Sequence, residues 1–127
     1  MNLEPPAMRI TVLGAGAWGT ALAKLLHEAK HEVVLWGRTE RLEVIGQKGR
    51  NERYLPGIDL PANLSLKPEL STALDNAGCV VVAVPSRNFR EVADGLKNFE
   101  GIAVSATKGI EHDSGLTMGG ILAECAP

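Results

Sequence analysis

Residues 9–38 read RITVLGAGAWGTALAKLLHEAKHEVVLWGR, and this stretch decides the fold. It opens with a short β-branched and apolar run at 9–13, which stops at a glycine and predicts a strand. Apolar residues then recur at helical spacing over 18–29, and a second apolar run at 33–36 predicts another strand. A strand, a tight turn, a helix and a strand in this order indicate a parallel βαβ unit.

The rest of the chain continues the same alternation. Further elements are predicted at six places: helices at 38–49, 70–77, 89–97 and 115–125, and strands at 79–84 and 102–105. Residues 51–61 carry two prolines and a glycine, which predict a loop. The run CVVVAV at 79–84 is continuously apolar, as expected of a strand covered by helices on both faces. We therefore expect an α/β fold, a Rossmann-like, doubly wound and mostly parallel sheet of four strands, over residues 8–127, after a disordered lead-in at 1–7.

Composition excludes several classes of protein. The 127 residues are 45% hydrophobic and 22% charged, with a formal net charge of −2, so nothing indicates a nucleic-acid partner. No apolar run approaches the ~20 residues of a membrane span, and the N-terminus does not resemble a secretory signal. Cys79 and Cys125 lack metal-ligand spacing, as do the three histidines. We expect free thiols, no metal site and a cytoplasmic protein.

Three glycines form a phosphate-binding pattern at the first turn. Gly14, Gly16 and Gly19 make G-x-G-x-x-G directly after a predicted strand and at the start of a predicted helix. Gly14 is expected to allow the tight turn, Gly16 to let the backbone approach a diphosphate, and Gly19 to let the helix pack on the strand. A turn that merely reverses the chain would not need three glycines in this register. The pattern predicts a dinucleotide site, with the amides of the helix N-terminus facing the phosphates.

The end of the second predicted strand bears on the choice of nucleotide. Gly37, Arg38 and Thr39 follow that strand, and the first acidic residue is Glu40. A carboxylate at this place accepts hydrogen bonds from the ribose of NAD, whereas a guanidinium pairs with the 2′-phosphate of NADP. We expect NADP or NAD as cofactor, with NADP favoured. The alternative is that Arg38 is a solvated charge that stacks on adenine and leaves both cofactors usable.

Five segments resemble the bacterial NAD(P)-dependent glycerol-3-phosphate dehydrogenases in order and spacing: GAGAWGTALA at 14–23, VVLWGR at 33–38, N-x-x-Y-L-P-G at 51–57, VPS at 84–86 and ATKGIE at 106–111. The resemblance implies the N-terminal nucleotide-binding domain of an oxidoreductase. It implies reduction of dihydroxyacetone phosphate to sn-glycerol 3-phosphate with NAD(P)H, which feeds phospholipid synthesis.

The resemblance also implies roles for single residues. It places Ala17 and Trp18 against the cofactor, Arg38 at its adenosine end, Tyr54 near the same nucleotide, Ser86 beside the nicotinamide half, and Lys108 against both cofactor and substrate. A cation that follows a parallel strand, as Lys108 does, suits a phosphorylated carbonyl substrate and could polarise the developing alkoxide as a catalytic residue. Three alternatives stay open: Lys108 as a surface lysine, Ser86 as the cap of a helix beginning near residue 88, and Trp18 as a cover for the sheet edge.

The family continues beyond the length of this chain. Its later part supplies a helical domain and the lysine that acts as general acid and base, so we expect the chain alone to bind cofactor weakly or not at all and to show no turnover. We also expect exposed sheet edge to favour association with a second copy. Two other functions remain open: a non-catalytic NADP-binding module, and another reductase with a similar nucleotide-binding half, such as a ketopantoate or pyrroline carboxylate reductase.

Overall fold

A computed structural model describes residues 7–126, and the predicted lead-in lies outside the described residues except for Ala7. Strands and helices alternate along the described chain: β1 Arg9–Leu13, α1 Ala17–Glu28, β2 Glu32–Trp36, α2 Thr39–Lys48, β3 Ser65–Lys67, α3 Leu70–Ala73, β4 Cys79–Val82, α4 Ser86–Asp94, β5 Ile102–Ser105 and α5 Met118–Cys125. Each crossover helix returns the chain to the same end of the sheet, which makes neighbouring strands parallel.

The sheet has five strands in the order β3-β2-β1-β4-β5, and every neighbouring pair is parallel. The prediction of a Rossmann-like, doubly wound parallel sheet is confirmed. The prediction of four strands was wrong, because β3 was missed. This strand has three residues, with Leu66 as its one apolar side chain, so it lacks the apolar run that marks a strand.

Two core clusters lie on opposite faces of the sheet, as side chains that alternate along each strand require. Val12 and Leu13, neighbours on β1, belong to different clusters. On the side of α1 and α2, the cluster includes Val12, Ala23, Val33, Leu35 and Ile45. On the side of α4 and α5, it includes Leu13, Val80, Val82, Phe89 and Ile121. Helices on both faces explain why β4 is continuously apolar.

Four helix boundaries differ from the sequence prediction by three or four residues, and one of them is the end of α4 at Asp94 instead of residue 97. Helix α3 ends at Ala73 instead of residue 77. Helix α4 begins at Ser86, three residues early, because Pro85 occupies the N-cap with a φ of −55°; no side chain caps this helix, so the capping role considered for Ser86 was wrong. Helix α5 begins at Met118 because Gly115 adopts a left-handed φ of +72°, which a helix cannot continue through. Residues 51–61 contain neither helix nor strand, as predicted.

Cys79 and Cys125 are free, as predicted, and both are half-buried. Burial raises the pKa of both thiols, that of Cys125 to about 11. Across residues 7–126, no helix has both the length and the apolar character needed to cross a membrane. Strand β5 forms one edge of the sheet, and Ile102 and Val104 on it are 60% and 43% exposed. These side chains fit the expected exposed apolar edge, and association through it stays a prediction.

Candidate functional site

Four segments that the sequence singled out follow the carboxyl ends of parallel strands. The glycine turn follows β1, Gly37 and Arg38 follow β2, residues 84–86 follow β4, and residues 106–111 follow β5. Because all these strands are parallel, their carboxyl ends share one edge of the sheet. The strand order reverses between β1 and β4, and open α/β sheets bind ligands at that point. The fold therefore collects these segments around one crevice.

Gly14 and Gly19 are glycines because the protein itself leaves no room for a side chain. Gly14 has a φ of +121°, and a Cβ on it would lie 2.6 Å from the carbonyl oxygen of Ala83. A Cβ on Gly19 would overlap the carbonyl oxygen of Gly14. The backbone of Gly14 is also tied to β2, because its N–H donates to the carbonyl of Trp36 at 2.9 Å. The turn is therefore packed tightly against the segments that follow β2 and β4.

Gly16 differs from the other two glycines. Its φ is −79°, which any residue adopts, and among the described residues no atom beyond its two chain neighbours lies within 4 Å of where its Cβ would be. Packing among the described residues therefore does not require glycine at this position. A ligand that approaches the backbone closely would require glycine, because the missing side chain leaves space for the ligand. This observation fits the diphosphate of a dinucleotide.

Helix α1 offers hydrogen-bond donors beside that space. Gly16 is the N-cap of α1. No described side chain caps this end of the helix, and the first turn contains no acidic residue. Within residues 7–126, the backbone N–H groups of Gly16, Ala17 and Trp18 donate to no protein acceptor. Unpaired amides and the positive end of the helix dipole attract an anion. The turn can therefore hold a phosphate group without a cationic side chain.

Asn51 joins the glycine turn to the loop at 51–61. It is 3% exposed, and its Nδ2 donates to the carbonyl oxygen of Ala15 and to Oγ1 of Thr20, both at 2.9 Å. Thr20 is fully buried. At the other end of the loop, the N–H of Leu60 donates to the carbonyl of Gly49 at 2.9 Å. The loop is therefore closed at its base and anchored to the glycine turn.

Tyr54, in this loop, lies near two arginines, Arg41 of α2 and Arg53 of the loop. Nη2 of Arg41 donates to the Tyr54 hydroxyl at 2.8 Å, and the Arg41 guanidinium lies 4.1 Å from the ring centroid. The Arg53 guanidinium lies 5.3 Å from the same centroid. Both distances are within the range of cation–π attraction. The ring is thus held in one orientation, half-buried, with positive charge around it.

Trp18 and Arg38 both face solvent. Trp18, in the first turn of α1, is 55% exposed. Arg38 is the N-cap of α2, directly after β2 and Gly37. Its side chain is exposed and makes no ion pair with any residue of the described chain. Both side chains are available to a ligand in the crevice.

Residues 84–86 and 106–111 contact each other directly. Oγ1 of Thr107 donates to the carbonyl of Val84 at 2.7 Å, and a Cβ on Gly109 would lie 3.1 Å from the Cβ of Ser86. Lys108, between these two contacts, is exposed. The fold therefore brings Ser86 and Lys108 to neighbouring positions at the edge where the glycine turn also lies.

Arg90 of α4 clamps the segment that follows Lys108. Its guanidinium makes two parallel bonds to Glu111, at 2.7 and 2.8 Å, and a third to Glu124 of α5 at 3.0 Å. Ser114 also donates to Glu111, at 2.6 Å. A bidentate guanidinium and carboxylate pair is the strongest form of surface ion pair. Arg90, followed by Ser114, lowers the pKa of Glu111 to about 2.

The lowered pKa predicts a pH dependence of stability. Glu111 titrates near 4.5 when unpaired and near 2 in the folded chain, so the unfolded state binds more protons between these values. The stabilisation from this pair is complete above pH 4.5 and is lost as the pH falls toward 2. Urea unfolding at pH 6 and pH 3 is expected to show a larger loss for the wild type than for Glu111→Gln. Equal losses in the two proteins would contradict the ion pair.

Three of these contacts involve residues to which the sequence analysis gave no role. Asn51 and Glu111 stand inside the quoted N-x-x-Y-L-P-G and ATKGIE segments, but their partners lie far away in the sequence. Arg41 was read only as part of a charged helix. The available signal for Asn51 was its place as a polar residue at the start of the loop. Its burial could not be inferred from the sequence.

A family model and two sequence relatives place the chain in one family. The sequence model described as "NAD-dependent glycerol-3-phosphate dehydrogenase N-terminus" matches residues 9–127. The chain is 41% identical over 125 residues to a glycerol-3-phosphate dehydrogenase (NAD(P)+) of Carboxydothermus hydrogenoformans, covering 95% of this chain and 37% of that protein. It is 46% identical over 117 residues to the protein of that name from Stenotrophomonas maltophilia, covering 89% of this chain and 34% of that protein.

A solved structure agrees with the sequence relatives. The crystal structure of glycerol-3-phosphate dehydrogenase from Coxiella burnetii matches with a TM-score of 0.85 at 30% identity, covering 94% of this chain and 38% of that one. The chain thus spans little more than a third of the length of the relatives it matches.

Proposed function

Because the chain belongs to the family of the N-terminal part of NAD-dependent glycerol-3-phosphate dehydrogenases, we propose that residues 8–127 bind the dinucleotide cofactor of such an enzyme. One observation carries the proposal. The N-terminus of α1 offers amides without a partner among residues 7–126, beside Gly16, where the missing side chain leaves space that no described residue fills. That arrangement suits a diphosphate bridge.

The proposed cofactor contacts follow the crevice from one end to the other. Gly14, Gly16 and Gly19 shape the turn, the amides of Ala17 and Trp18 donate to the diphosphate, Arg38 and Tyr54 contact the adenosine end, and Ser86 borders the nicotinamide half. The exposure of Trp18 and Arg38 supports their roles, since neither is occupied by a protein partner in the described residues. The hydrogen bond from Arg41 to the Tyr54 hydroxyl orders this side chain before a nucleotide binds, which supports its proposed contact with the adenosine end.

In the whole enzyme, we propose reduction of dihydroxyacetone phosphate to sn-glycerol 3-phosphate, feeding phospholipid synthesis. The bound nicotinamide would supply the hydride to the carbonyl carbon. Lys108 would be a catalytic residue that contacts cofactor and substrate and stabilises the negative charge that develops on the carbonyl oxygen. The position of Lys108 next to Ser86, at the carboxyl edge of the sheet, supports this role.

The remaining parts of the proposal concern the whole protein. The general acid and base would come from residues outside this chain, so residues 8–127 alone would not turn over substrate. The free cysteines suit the reducing cytoplasm, where we place the enzyme. The exposed apolar side chains of Ile102 and Val104 support association with a second copy when nothing else covers them.

Arg38 is proposed to favour NADPH over NADH, and Arg38→Asp tests this. The variant loses charge-assisted hydrogen bonds to the 2′-phosphate and adds repulsion, so the dissociation constant for NADPH is expected to rise roughly 10-fold to 100-fold. NADH affinity should hold or improve, because a carboxylate accepts hydrogen bonds from the ribose. Calorimetric titration of the complete gene product with each nucleotide measures both.

Lys97→Asp is the matched control for this experiment. Lys97 is exposed beyond the end of α4, away from the carboxyl edge of the sheet, and the substitution changes the net charge by the same amount. It should leave both affinities unchanged. Tighter NADPH binding by Arg38→Asp would refute the role of Arg38, and absence of nucleotide binding by the wild type would refute the proposed function itself.

A further inference from the structure

Asn51 is a buried amide whose two N–H groups are both used. One donates to the carbonyl oxygen of Ala15 and the other to Oγ1 of Thr20, each at 2.9 Å. The residue is 36 positions from Ala15 and opens the loop at 51–61. Both donors of this side chain, which is 3% exposed, are therefore used inside the protein, and neither is left for a ligand. The effect of these donors on the site acts through the groups that they hold.

The carbonyl of Ala15 has no donor other than this amide among the described residues. Ala15 is 1% exposed, and the next carbonyl along, that of Gly16, accepts the first helical bond from the N–H of Thr20 at 3.1 Å. No backbone N–H of residues 7–126 donates to the Ala15 carbonyl. A buried carbonyl without a donor is costly, so this peptide would reorient if Asn51 were lost.

The orientation of the Ala15 carbonyl sets the orientation of the Gly16 N–H group, which is a donor in the proposed cofactor site. The peptide bond between Ala15 and Gly16 is planar and trans, so the Gly16 N–H points opposite to the Ala15 oxygen. Asn51 holds the oxygen on the buried side, which turns the N–H away from the core. We propose that Asn51 is a positioning residue that aims the Gly16 amide at the diphosphate, an inference that rests on the proposed cofactor function.

The same residue also begins the turn that carries Tyr54. The carbonyl of Asn51 accepts from the N–H groups of Tyr54 at 3.2 Å and of Leu55 at 2.7 Å. Its side chain and its backbone therefore connect the diphosphate end of the site to the loop at the adenosine end. Asn51 sets the relative position of these two parts before any nucleotide binds, which lowers the cost of ordering them on binding.

Asn51→Asp tests the proposal in the complete gene product. An ionised carboxylate cannot donate to the Ala15 carbonyl and repels it, so the Gly16 amide should lose its direction. The dissociation constant for NADPH is expected to rise about tenfold, whereas that for adenosine 2′-monophosphate, which has no diphosphate, should not change. A general loss of structure would weaken both ligands alike. A cooperative thermal unfolding transition is the check that each variant is folded.

Two further variants sharpen the result. Asn63→Asp makes the same chemical change at an exposed position outside the site and should leave NADPH affinity unaltered. Thr20→Val removes only the second of the two bonds and should weaken NADPH binding less than Asn51→Asp does. Unchanged NADPH affinity in folded Asn51→Asp, or equal losses for the two ligands, would overturn the inference. A wild type that binds no NADPH would instead contradict the proposed function.

A measurement on the wild type decides the matter if Asn51→Asp does not fold. In nuclear magnetic resonance spectra, the Asn51 side-chain amide protons should exchange slowly with water. Adding inorganic pyrophosphate should shift the Gly16 amide resonance and leave the Asn51 resonances in place. Fast exchange of the Asn51 protons, or a Gly16 resonance that pyrophosphate does not move, would overturn the proposal.

Discussion

Gly19→Ala is expected to destabilise the domain by about 3 kcal/mol, at the upper end of what overpacking costs, because the new methyl group would overlap the carbonyl oxygen of Gly14. Neither helix α1 nor the glycine turn can move away without a substantial cost in free energy. Gly14 is held to Trp36 by a hydrogen bond of 2.9 Å and packs closely on the backbone of Ala83. Helix α1 would have to move away from β1, which disturbs the core on that face. Thermal unfolding should show a fall in Tm of roughly 10 °C.

Gly46→Ala is the matched control for this substitution. Gly46 lies inside α2, and a Cβ there would meet Leu66 at 3.7 Å, an ordinary contact distance. Alanine is favoured over glycine in a helix interior by about 0.5–1 kcal/mol, so this variant should be as stable as the wild type or more so. Equal stability of the Gly19→Ala variant and the wild type would mean that the glycine turn is packed differently.

Gly16→Val is expected to abolish most nucleotide binding while leaving the fold intact. Its side chain would enter open space at an ordinary φ of −79°, so the free energy of unfolding should change by less than about 1 kcal/mol. The same side chain would occupy the place of the diphosphate and keep it away from the amides of Gly16, Ala17 and Trp18. Loss of these charge-assisted bonds should weaken NADPH binding about a hundredfold.

Calorimetric titration of the complete gene product with NADPH, together with urea unfolding of the same sample, measures both effects of Gly16→Val. The two glycine variants thus separate two properties: Gly19→Ala lowers stability, and Gly16→Val lowers affinity. A stably folded Gly16→Val protein that binds NADPH as the wild type does would remove the basis for a diphosphate site at this turn.

The local part of the fold could be predicted because it depends on neighbours in the sequence. Apolar runs such as 9–13 and 102–105 coincide with strands, and the spacing of Gly14, Gly16 and Gly19 marks the turn between β1 and α1. Strand β3 escaped prediction because its three residues form a strand only through pairing with β2. The start of α4 at Ser86 was missed for a similar reason, since Pro85 serves as N-cap as readily as it ends a strand.

By itself, the sequence determined the alternation of strands and helices apart from β3, the three glycines between β1 and α1, and the residue types available to a nucleotide, because each depends on positions a few residues apart. The tertiary structure alone decided which glycines the packing requires and which one faces open space. It also decided that Asn51 holds the Ala15 carbonyl and that Arg90 holds Glu111. Those contacts join residues 36 and 21 positions apart, and the crossovers of the parallel sheet bring them together.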